Sequence, residues 1–235
     1  QADEIDLSVE GNVLAATAAC VARHLVVASS TTAFGSFADN PDWLSEKDHP
    51  RRQTNYTYAS DKYENEMTIR IFKEENPQVK VAVVRPCIVY GPNVDNYISR
   101  FIVRLPFFPA VGGERPEMQF VHEDDAAEVF MRILEKEAEG YFHACGEGTI
   151  SVEEIARMAG KPIVSFPAWL ICPALDLLWK LHAPLIEGPS GILGFLRYRW
   201  TASDEFTREA LGLGPRMHSR DVVRLMLETH GITPR

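Results

Sequence analysis

The sequence predicts an α/β fold with a Rossmann-like, doubly wound and mainly parallel sheet, and three observations support this class. Short apolar runs such as HLVVA and VKVAVV have the continuous hydrophobicity of strands that are buried on both faces. Segments with helical periodicity lie between these runs along the chain. Alternating strands and helices form βαβ units, which build parallel sheets with helices on both faces.

Each predicted element has its own signal. Apolar residues that share one helical face predict a first helix over about 4–23, and the strand HLVVASS follows it. A second helix is predicted over about 55–75. Ser151 and Glu154 form a capping-box pattern at the start of a later helix, which Gly160 ends. The other predicted elements are strands at VKVAVVRP, MQFVH, GYFHACG and KPIVSFP and a helix over 123–140.

The alternation of strands and helices fades after about Pro167, where helical segments and proline-rich links take over. We therefore expect two parts with an interleaved, approximate boundary. The first is a partial Rossmann-like domain over 1–165, and the second is a smaller, mostly helical lobe over 166–235. A parallel sheet binds ligands beyond the carboxyl ends of its strands, so ASSTTAFG and RPCIVYGPN are the segments where a site is expected.

The composition argues against several classes of function. The formal net charge is -9, and no block of Lys or Arg offsets it, so neither a nucleic-acid partner nor an anionic membrane surface is expected. The four cysteines form no C-x-x-C pair, and no zinc, other metal or redox motif is predicted. Isolated cysteines among apolar neighbours suit a reducing, cytoplasmic setting.

The most apolar stretch is FPAWLICPALDLLWKLHAPLI, which has almost the length of a membrane span. Prolines, Asp176 and Lys180 interrupt its apolar character. We therefore expect a buried or partner-facing helix at this place and no membrane span.

Tyr58 and Lys62 are four residues apart in the second predicted helix, so they share a face and lie one turn apart. A lysine ammonium beside a phenol stabilises the phenolate and lowers the tyrosine pKa, which suits proton exchange with an alcohol. Spacing alone favours a chance pair on a tyrosine-rich surface helix. The order of the surrounding segments favours a catalytic pair instead, because a strand that ends in two serines precedes the pair and RPCIVYGP follows it. Tyr56 and Tyr63 do not face Lys62, and we expect them to pack or to point outward.

This ordered set resembles the extended short-chain dehydrogenase/reductase family, of the NAD-dependent epimerase/dehydratase type. The resemblance covers roughly Asp6 to Glu154, and RYRWTASDEFTREALGLGPRMHSRDVVRLML resembles the closing segment of the family. The stretches that carry the resemblance are DLSVEGNVLAATAA, LVVASSTTAFG, YASDKYENE, VAVVRPCIVYGPN and FVHEDDAAEVF.

The resemblance implies an NAD- or NADP-dependent enzyme with a Tyr/Lys/Ser site. Tyr58 would be the general acid/base, and Lys62 would assist it and hold the nicotinamide ribose. Ser30 falls where the family places its third catalytic hydroxyl. Cys87 falls where a main-chain contact to the nicotinamide is expected. Ser8 stands where many members have an asparagine near the active site, and it is grouped with the cofactor-binding residues.

The resemblance also bears on the substrate, which the smaller lobe would help to bind. Thr31 and Thr32 would line the substrate pocket, at the places where dehydratases carry an Asp-Glu pair, and this favours epimerisation or simple redox chemistry. Ile88 stands where nucleotide-sugar enzymes often have an asparagine, which weakens the nucleotide-sugar interpretation. Arg115 is a candidate contact for a substrate phosphate. Arg85 could face a pyrophosphate or pair with an acid.

The largest departure from the family is the absence of a glycine-rich turn of the type G-x-x-G-x-x-G in the sequence. The first three strands of the family's sheet would be missing, and HLVVASS would become an exposed apolar edge. We therefore expect this sequence to be part of a longer protein, or else a relative whose sheet edge a partner chain covers. The residue that distinguishes NAD from NADP would lie in the missing part.

Three functions stay open at this point. The first is a sugar-nucleotide epimerase that moves a hydride between a substrate carbinol and the nicotinamide. The second is a dehydrogenase or reductase of a non-nucleotide substrate, such as a hydroxysteroid-like or other apolar alcohol. The third is a catalytically silent binding relative, which the combination of Ser30, Tyr58 and Lys62 argues against. The resemblance further implies a homodimer that forms through the Tyr58 helix.

Overall fold

The computed structural model describes residues 2–20, 22–94, 96–183 and 188–235, with side chains from residue 11 onward except Tyr97. Its helices and strands alternate through the first two thirds of the chain, as the sequence predicts. The described helices are α1 (Ala2–Ala19), α2 (Thr57–Glu75), α3 (Tyr97–Arg104), α4 (Glu123–Lys136), α5 (Val152–Met158), α6 (Ala168–Lys180), α7 (Glu205–Leu211) and α8 (Ser219–Thr229).

The strands are mostly short, and two segments form 3-10 helix. The described strands are β1 (His24–Ala28), β2 (Lys80–Pro86), β3 (Ile88–Tyr90), β4 (Phe108–Val111), β5 (Glu117–Met118), β6 (Phe120–His122), β7 (Gly140–Ala144), β8 (Ile150–Ser151) and β9 (Ile163–Phe166). The 3-10 segments are Thr31–Phe34 and Ser190–Leu196.

The main sheet is parallel, with the strand order β1-β2-β7. Successive side chains of a strand point to opposite faces, so β2 divides between two cores. Val81 and Val83 pack with residues of α1 and α2 on one face. Ala82 and Val84 belong to the larger core on the other face, which includes residues of α4. The predicted parallel α/β architecture with helices on both faces is therefore confirmed.

The helix ends follow local chemistry. Ser151 caps α5 by accepting a hydrogen bond from the Glu154 amide at 3.1 Å, as its pattern predicts. The helix predicted over 123–140 ends earlier, at Lys136, because Glu137 takes the left-handed conformation with φ 46° and closes the last turn. That prediction was four residues too long.

Three pairs of short strands surround the main sheet. β3 pairs with β6 and β4 with β9 in parallel, and β5 pairs with β8 antiparallel. The sequence did not predict β3, β4 or α3. The β4–β9 pair joins residues 108–111 to residues 163–166, where the expected boundary falls, and the division into two parts stays a prediction.

The region after Pro167 is mainly helical. α6 packs against the 3-10 helix Ser190–Leu196, and α8 packs against β3 and β6. No helix in the described ranges is long and apolar enough to cross a membrane.

Candidate functional site

The carboxyl end of β1 leads directly into a tight turn of hydroxyl residues. The Ser29 amide donates to the Val84 carbonyl at 2.7 Å, which holds the end of β1 beside β2. Ser30 then caps the 3-10 segment Thr31–Phe34, accepting from the Thr32 amide at 3.2 Å. The Ser30 hydroxyl also lies 3.5 Å from the Pro86 carbonyl. Ser30 is therefore fixed at the strand-end edge, where the residue is buried.

Tyr58 and Lys62 lie in the first two turns of α2. The Lys62 ammonium nitrogen is 5.7 Å from the centroid of the Tyr58 ring, so the two side chains share a face of the helix. Tyr58 is 42% exposed, whereas Lys62 is half-buried. α2 packs against the 3-10 segment that Ser30 begins. The structure thus brings the three predicted catalytic residues to adjoining elements.

The two threonines after Ser30 differ in their surroundings. Thr31 has no exposed surface and donates its hydroxyl to the Pro86 carbonyl at 3.3 Å. Thr32 is 6% exposed, and its buried hydroxyl oxygen has no hydrogen-bond partner among the described residues. A buried hydroxyl without a partner is costly, so Thr32 is the better placed of the two to bond a ligand.

Cys87 and Ile88 follow the end of β2. The Cys87 amide donates to the Ala144 carbonyl at 3.1 Å, so a nicotinamide contact through this amide would have to replace that bond. The Cys87 thiol also contacts Cys145, and burial together with this neighbour raises the Cys145 pKa well above its usual range. Ile88 is buried, and its amide donates to the Gln119 carbonyl.

The remaining predicted site residues, Ser8 and Arg115, lie on other elements of the fold. Ser8 lies in α1, and its side chain is outside the described part of the structure. Arg115 lies between β4 and β5, where it forms an exposed ion pair of 2.9 Å with Glu153 of α5. The structure therefore gives Arg115 a partner within the chain, and its predicted role toward a substrate phosphate stays a prediction.

Glu66, which was not predicted from the sequence, connects the site to the sheet. Its carboxylate accepts from Ser29 Oγ at 2.5 Å and from Arg85 Nη2 at 2.6 Å, and both charged residues are at most 2% exposed. Arg85 therefore pairs with an acid, which is one of the two roles that its sequence context left open, the other being a contact with a pyrophosphate. A signal for Glu66 existed, because it occupies a buried position in line with Ala59 and Ile69 of α2.

The C-terminal region approaches the start of α2 through Gln53, a contact that was not predicted from the sequence. Gln53 accepts from the Ser36 amide at 2.7 Å and donates to the Gly191 carbonyl at 2.9 Å. A Cβ atom at Gly191 would collide with the Asn55 carbonyl oxygen, so only glycine permits this approach. The 3-10 helix Ser190–Leu196 thus rests on the residues just before Tyr58.

Tyr56 takes part in this packing, and its ring also lies beside the Tyr58 ring, with ring centroids 6.1 Å apart. Its ring is buried and meets Phe195 edge-on, with ring centroids 5.6 Å apart. Phe195 in turn packs edge-on against Trp200 at 5.0 Å. Tyr56 therefore packs, which is one of the two roles expected for it.

Two cavities of about 440 and 600 Å³ lie elsewhere in the described residues. The first is beside Glu66, Arg70 and Tyr141, and the second is beside Gln119 and Asp204. Neither is lined by Ser30, Tyr58 or Lys62. The predicted catalytic residues thus lie outside both cavities.

Polar side chains at this edge suit the nicotinamide end of a dinucleotide. Tyr58 and Lys62 present two polar groups on one face, and the unpartnered Thr32 hydroxyl lies close in sequence to Ser30. A glycine-rich turn that could hold a pyrophosphate is absent from the 235 residues. Among the described residues, no group of three or more His, Cys, Asp or Glu side chains could hold a metal ion.

Comparisons with known proteins identify a family and a fold. The family model for the NAD dependent epimerase/dehydratase family matches residues 3–143. An uncharacterized protein of Mycobacterium tuberculosis strain H37Rv is 25% identical over 215 residues, which are 90% of this chain and 56% of that relative. An uncharacterized protein of Mycobacterium bovis matches to the same extent. The chain thus spans little more than half the length of these curated relatives.

Solved structures share the fold. The UDP-glucose 4-epimerase of Thermus thermophilus, in complex with NAD, has a TM-score of 0.69 at 20% identity, covering 96% of this chain and 70% of that one. A dTDP-glucose 4,6-dehydratase of Streptomyces venezuelae with NAD bound has a TM-score of 0.71 at 17% identity, covering 97% and 66%. MoeE5 in complex with UDP-glucuronic acid and NAD has a TM-score of 0.66 at 21% identity, covering 94% and 69%.

Proposed function

The chain belongs to the NAD-dependent epimerase/dehydratase family, and we propose that it carries the catalytic residues of an NAD(P)-dependent epimerase acting on a nucleotide sugar. One observation carries the proposal. Tyr58 and Lys62 lie one turn apart at the start of α2, and this helix packs against the segment that Ser30 caps. A phenol with a nearby cation, and a second hydroxyl to orient the oxygen, can carry out general acid/base catalysis on an alcohol.

The roles follow from the chemistry of the three side chains. The Tyr58 phenolate accepts the proton of the substrate hydroxyl as the carbinol becomes a ketone, and the phenol returns it in the reverse step. The Lys62 ammonium stabilises the phenolate electrostatically. Ser30 donates a hydrogen bond to the substrate oxygen and keeps it in line with Tyr58. Bound NAD(P) would supply the hydride acceptor and donor, and Lys62 together with the main chain at Cys87 would hold its nicotinamide end.

Two features bear on the substrate. MoeE5 was crystallised with UDP-glucuronic acid, and another of its structures holds UDP-glucose. Thr31 and Thr32 provide no acid and base for the removal of water, so epimerisation or plain oxidation suits this chain better than dehydration. Arg115 is the proposed contact for a substrate phosphate. To make this contact, it would have to break its ion pair with Glu153.

The edge of the sheet at β1 belongs to the same proposal. In the described residues β1 pairs with β2 alone, which leaves a row of unpaired backbone groups on its other side. We expect further strands with a glycine-rich turn to pair there in a longer protein, as the greater length of the relatives suggests. A cytoplasmic location and a homodimer through α2 are proposed with it.

The experiment uses the full-length protein that contains this chain. Melting temperature and reduced-nicotinamide absorbance are measured with NAD+ or NADP+ and a panel of UDP- and dTDP-sugars. The proposal expects at least one nucleotide sugar to raise the melting temperature and to be converted to its epimer. If no nucleotide sugar does either, the epimerase assignment is lost.

Oxidation or reduction of an apolar, non-nucleotide alcohol is the second candidate. The buried Ile88 beside the strand end and the exposed apolar side chains of α6 favour it. Apolar alcohols added to the same panel separate the two candidates. A shift in melting temperature and cofactor reduction with these alcohols alone would support the second.

A further inference from the structure

The outward face of α6 is a broad apolar surface. Most of its exposed apolar positions recur at intervals of one, three and four residues, which places them on one side of the helix, whereas Trp179, 42% exposed, lies on another side. Exposed fractions reach 78% at Trp169 and 67% at Leu181, which closely follows the helix end. Lys180 lies at one edge of this surface, beside the line of Trp169. We call the surface the α6 stripe, and its members are Trp169, Leu170, Pro173, Ala174, Leu177, Leu178 and Leu181.

The rest of the structure fixes α6 in this orientation. On the inner face, the Asp176 carboxylate accepts from the Ser190 amide at 2.8 Å and from its hydroxyl at 2.9 Å. These bonds tie the helix to the 3-10 helix Ser190–Leu196, against which it packs. Rotating the stripe inward would break both bonds and bring Asp176 to the outside. The apolar face is therefore held toward solvent in the isolated chain.

The area of the stripe is that of a protein interface. From the exposed fractions and ordinary side-chain areas, it presents roughly 700 Å² of apolar surface. Monomeric proteins rarely expose an apolar patch larger than roughly 300–600 Å². A standard interface buries about 800 Å² on each partner. Two copies of the stripe together thus supply nearly the area that a stable dimer needs.

We propose that the α6 stripe binds the same stripe of a second copy of this chain, as an antiparallel helix pair around a two-fold axis. A two-fold axis places one surface against itself, so a stripe with large residues at both ends needs no different partner. Trp169 of one copy then meets Leu181 of the other. Pro173 and Ala174 lie near the middle, where small side chains let the two helices approach closely.

Charge favours a second copy over a bilayer. Helices that lie on membranes carry several Lys and Arg residues along the polar face, whereas α6 carries one lysine, Lys180, and one acid, Asp176. The whole chain has a net charge of -9, which anionic lipids repel. The proposed contact is also separate from α2, so it adds to any dimer that forms there.

The test compares two aspartate substitutions in the full-length protein by sedimentation velocity. Leu177→Asp places a charge in the stripe at a residue that is 58% exposed, and Leu134→Asp is the control on α4, at a residue that is 52% exposed. We expect Leu177→Asp to halve the mass of the assembly and Leu134→Asp to leave it unchanged. Trp169→Gln is a second stripe variant, and far-UV circular dichroism shows that each variant is folded.

Two results would overturn the proposal. The first is a wild-type protein that is monomeric at tens of micromolar, or an assembly whose mass neither stripe variant changes. The second is a wild-type monomer that co-sediments with phosphatidylcholine vesicles through the stripe, because the surface would then belong to a lipid bilayer.

Discussion

Glu66 of α2 and Arg85 of β2 form a buried, bidentate ion pair. Arg85 Nε donates to Glu66 Oε1 at 2.9 Å, and Arg85 Nη2 donates to Oε2 at 2.6 Å. Glu66 is one helical turn beyond Lys62 and two beyond Tyr58, so the three lie along one side of α2. Since Ser29 also donates to Glu66, this pair sets the rotation of α2 relative to the strand end that carries Ser30.

Removing the acid from this pair should destabilise the protein strongly. Glu66→Ala leaves the guanidinium of Arg85 buried without a counter-charge, a change that typically costs about 3–5 kcal/mol of unfolding free energy. Urea denaturation measures it. The matched control is Glu74→Ala, which removes an exposed pair with Arg70 at 3.7 Å and should cost less than about 1 kcal/mol. If both variants lose a similar, small amount of unfolding free energy, the buried pair does not hold α2 in place.

Lys62→Met should slow turnover and move its pH dependence. Without the ammonium, the Tyr58 phenolate forms only at higher pH, so the acidic limb of the pH–rate profile shifts toward alkaline pH. We expect the rate near neutrality to fall at least about tenfold, with weaker NAD(P) binding. Lys73→Met, farther along α2, is the control and should leave the profile in place. An unshifted profile in Lys62→Met would remove Lys62 from the proton transfer.

His143 should make stability depend on pH. Burial, with a smaller effect from the Arg85 charge, lowers the pKa of His143 to about 4. The pKa of His143 is lower in the folded state than its value of about 6.5 in the unfolded state. The histidine therefore makes its full contribution to the free energy of unfolding above about pH 6.5. This stability is lost as the pH falls from about 6.5 to 4, and it amounts to about 3 kcal/mol.

Comparison with His143→Gln isolates this effect. Burial raises the pKa of Asp204 to about 6, so protonation of Asp204 favours the folded state as the pH falls and partly opposes His143. Both proteins retain Asp204, and its effect cancels in the difference. Denaturation should therefore show that the difference in free energy of unfolding between wild type and His143→Gln shrinks as the pH falls from 7 to about 4. An advantage that stays constant over this range would contradict a buried neutral His143.

The sequence predicts those parts of the fold that depend on local signals. Apolar runs and helical periodicity located β1, β2, β7, α2 and α4, and the capping box located the start of α5. β3 was missed because it begins only two residues after Pro86, which the sequence indicates as the end of a strand, and β4 was missed because Pro109 interrupts its apolar run.

The candidate site was predictable to a similar degree. Ser30, Tyr58 and Lys62 were singled out because a resemblance in order and spacing identifies them together, and their catalytic roles stay predictions. Gln53 was not, since its two hydrogen bonds join segments that are far apart in the chain. The ion pair of Arg85 depends on Glu66, nineteen residues away, and the sequence alone left that partner open.

The most direct test of the central claim is a single-turnover measurement of reduced nicotinamide on full-length wild type and Tyr58→Phe. With NAD(P)+ and the best substrate from the panel, wild type should form reduced cofactor. Tyr58→Phe should form it at least about 100-fold more slowly with folding intact, because proton transfer contributes a factor of that size. Tyr63→Phe, on the same helix, should match wild type. Reduction by Tyr58→Phe at the wild-type rate would contradict the assignment of Tyr58 as the acid/base.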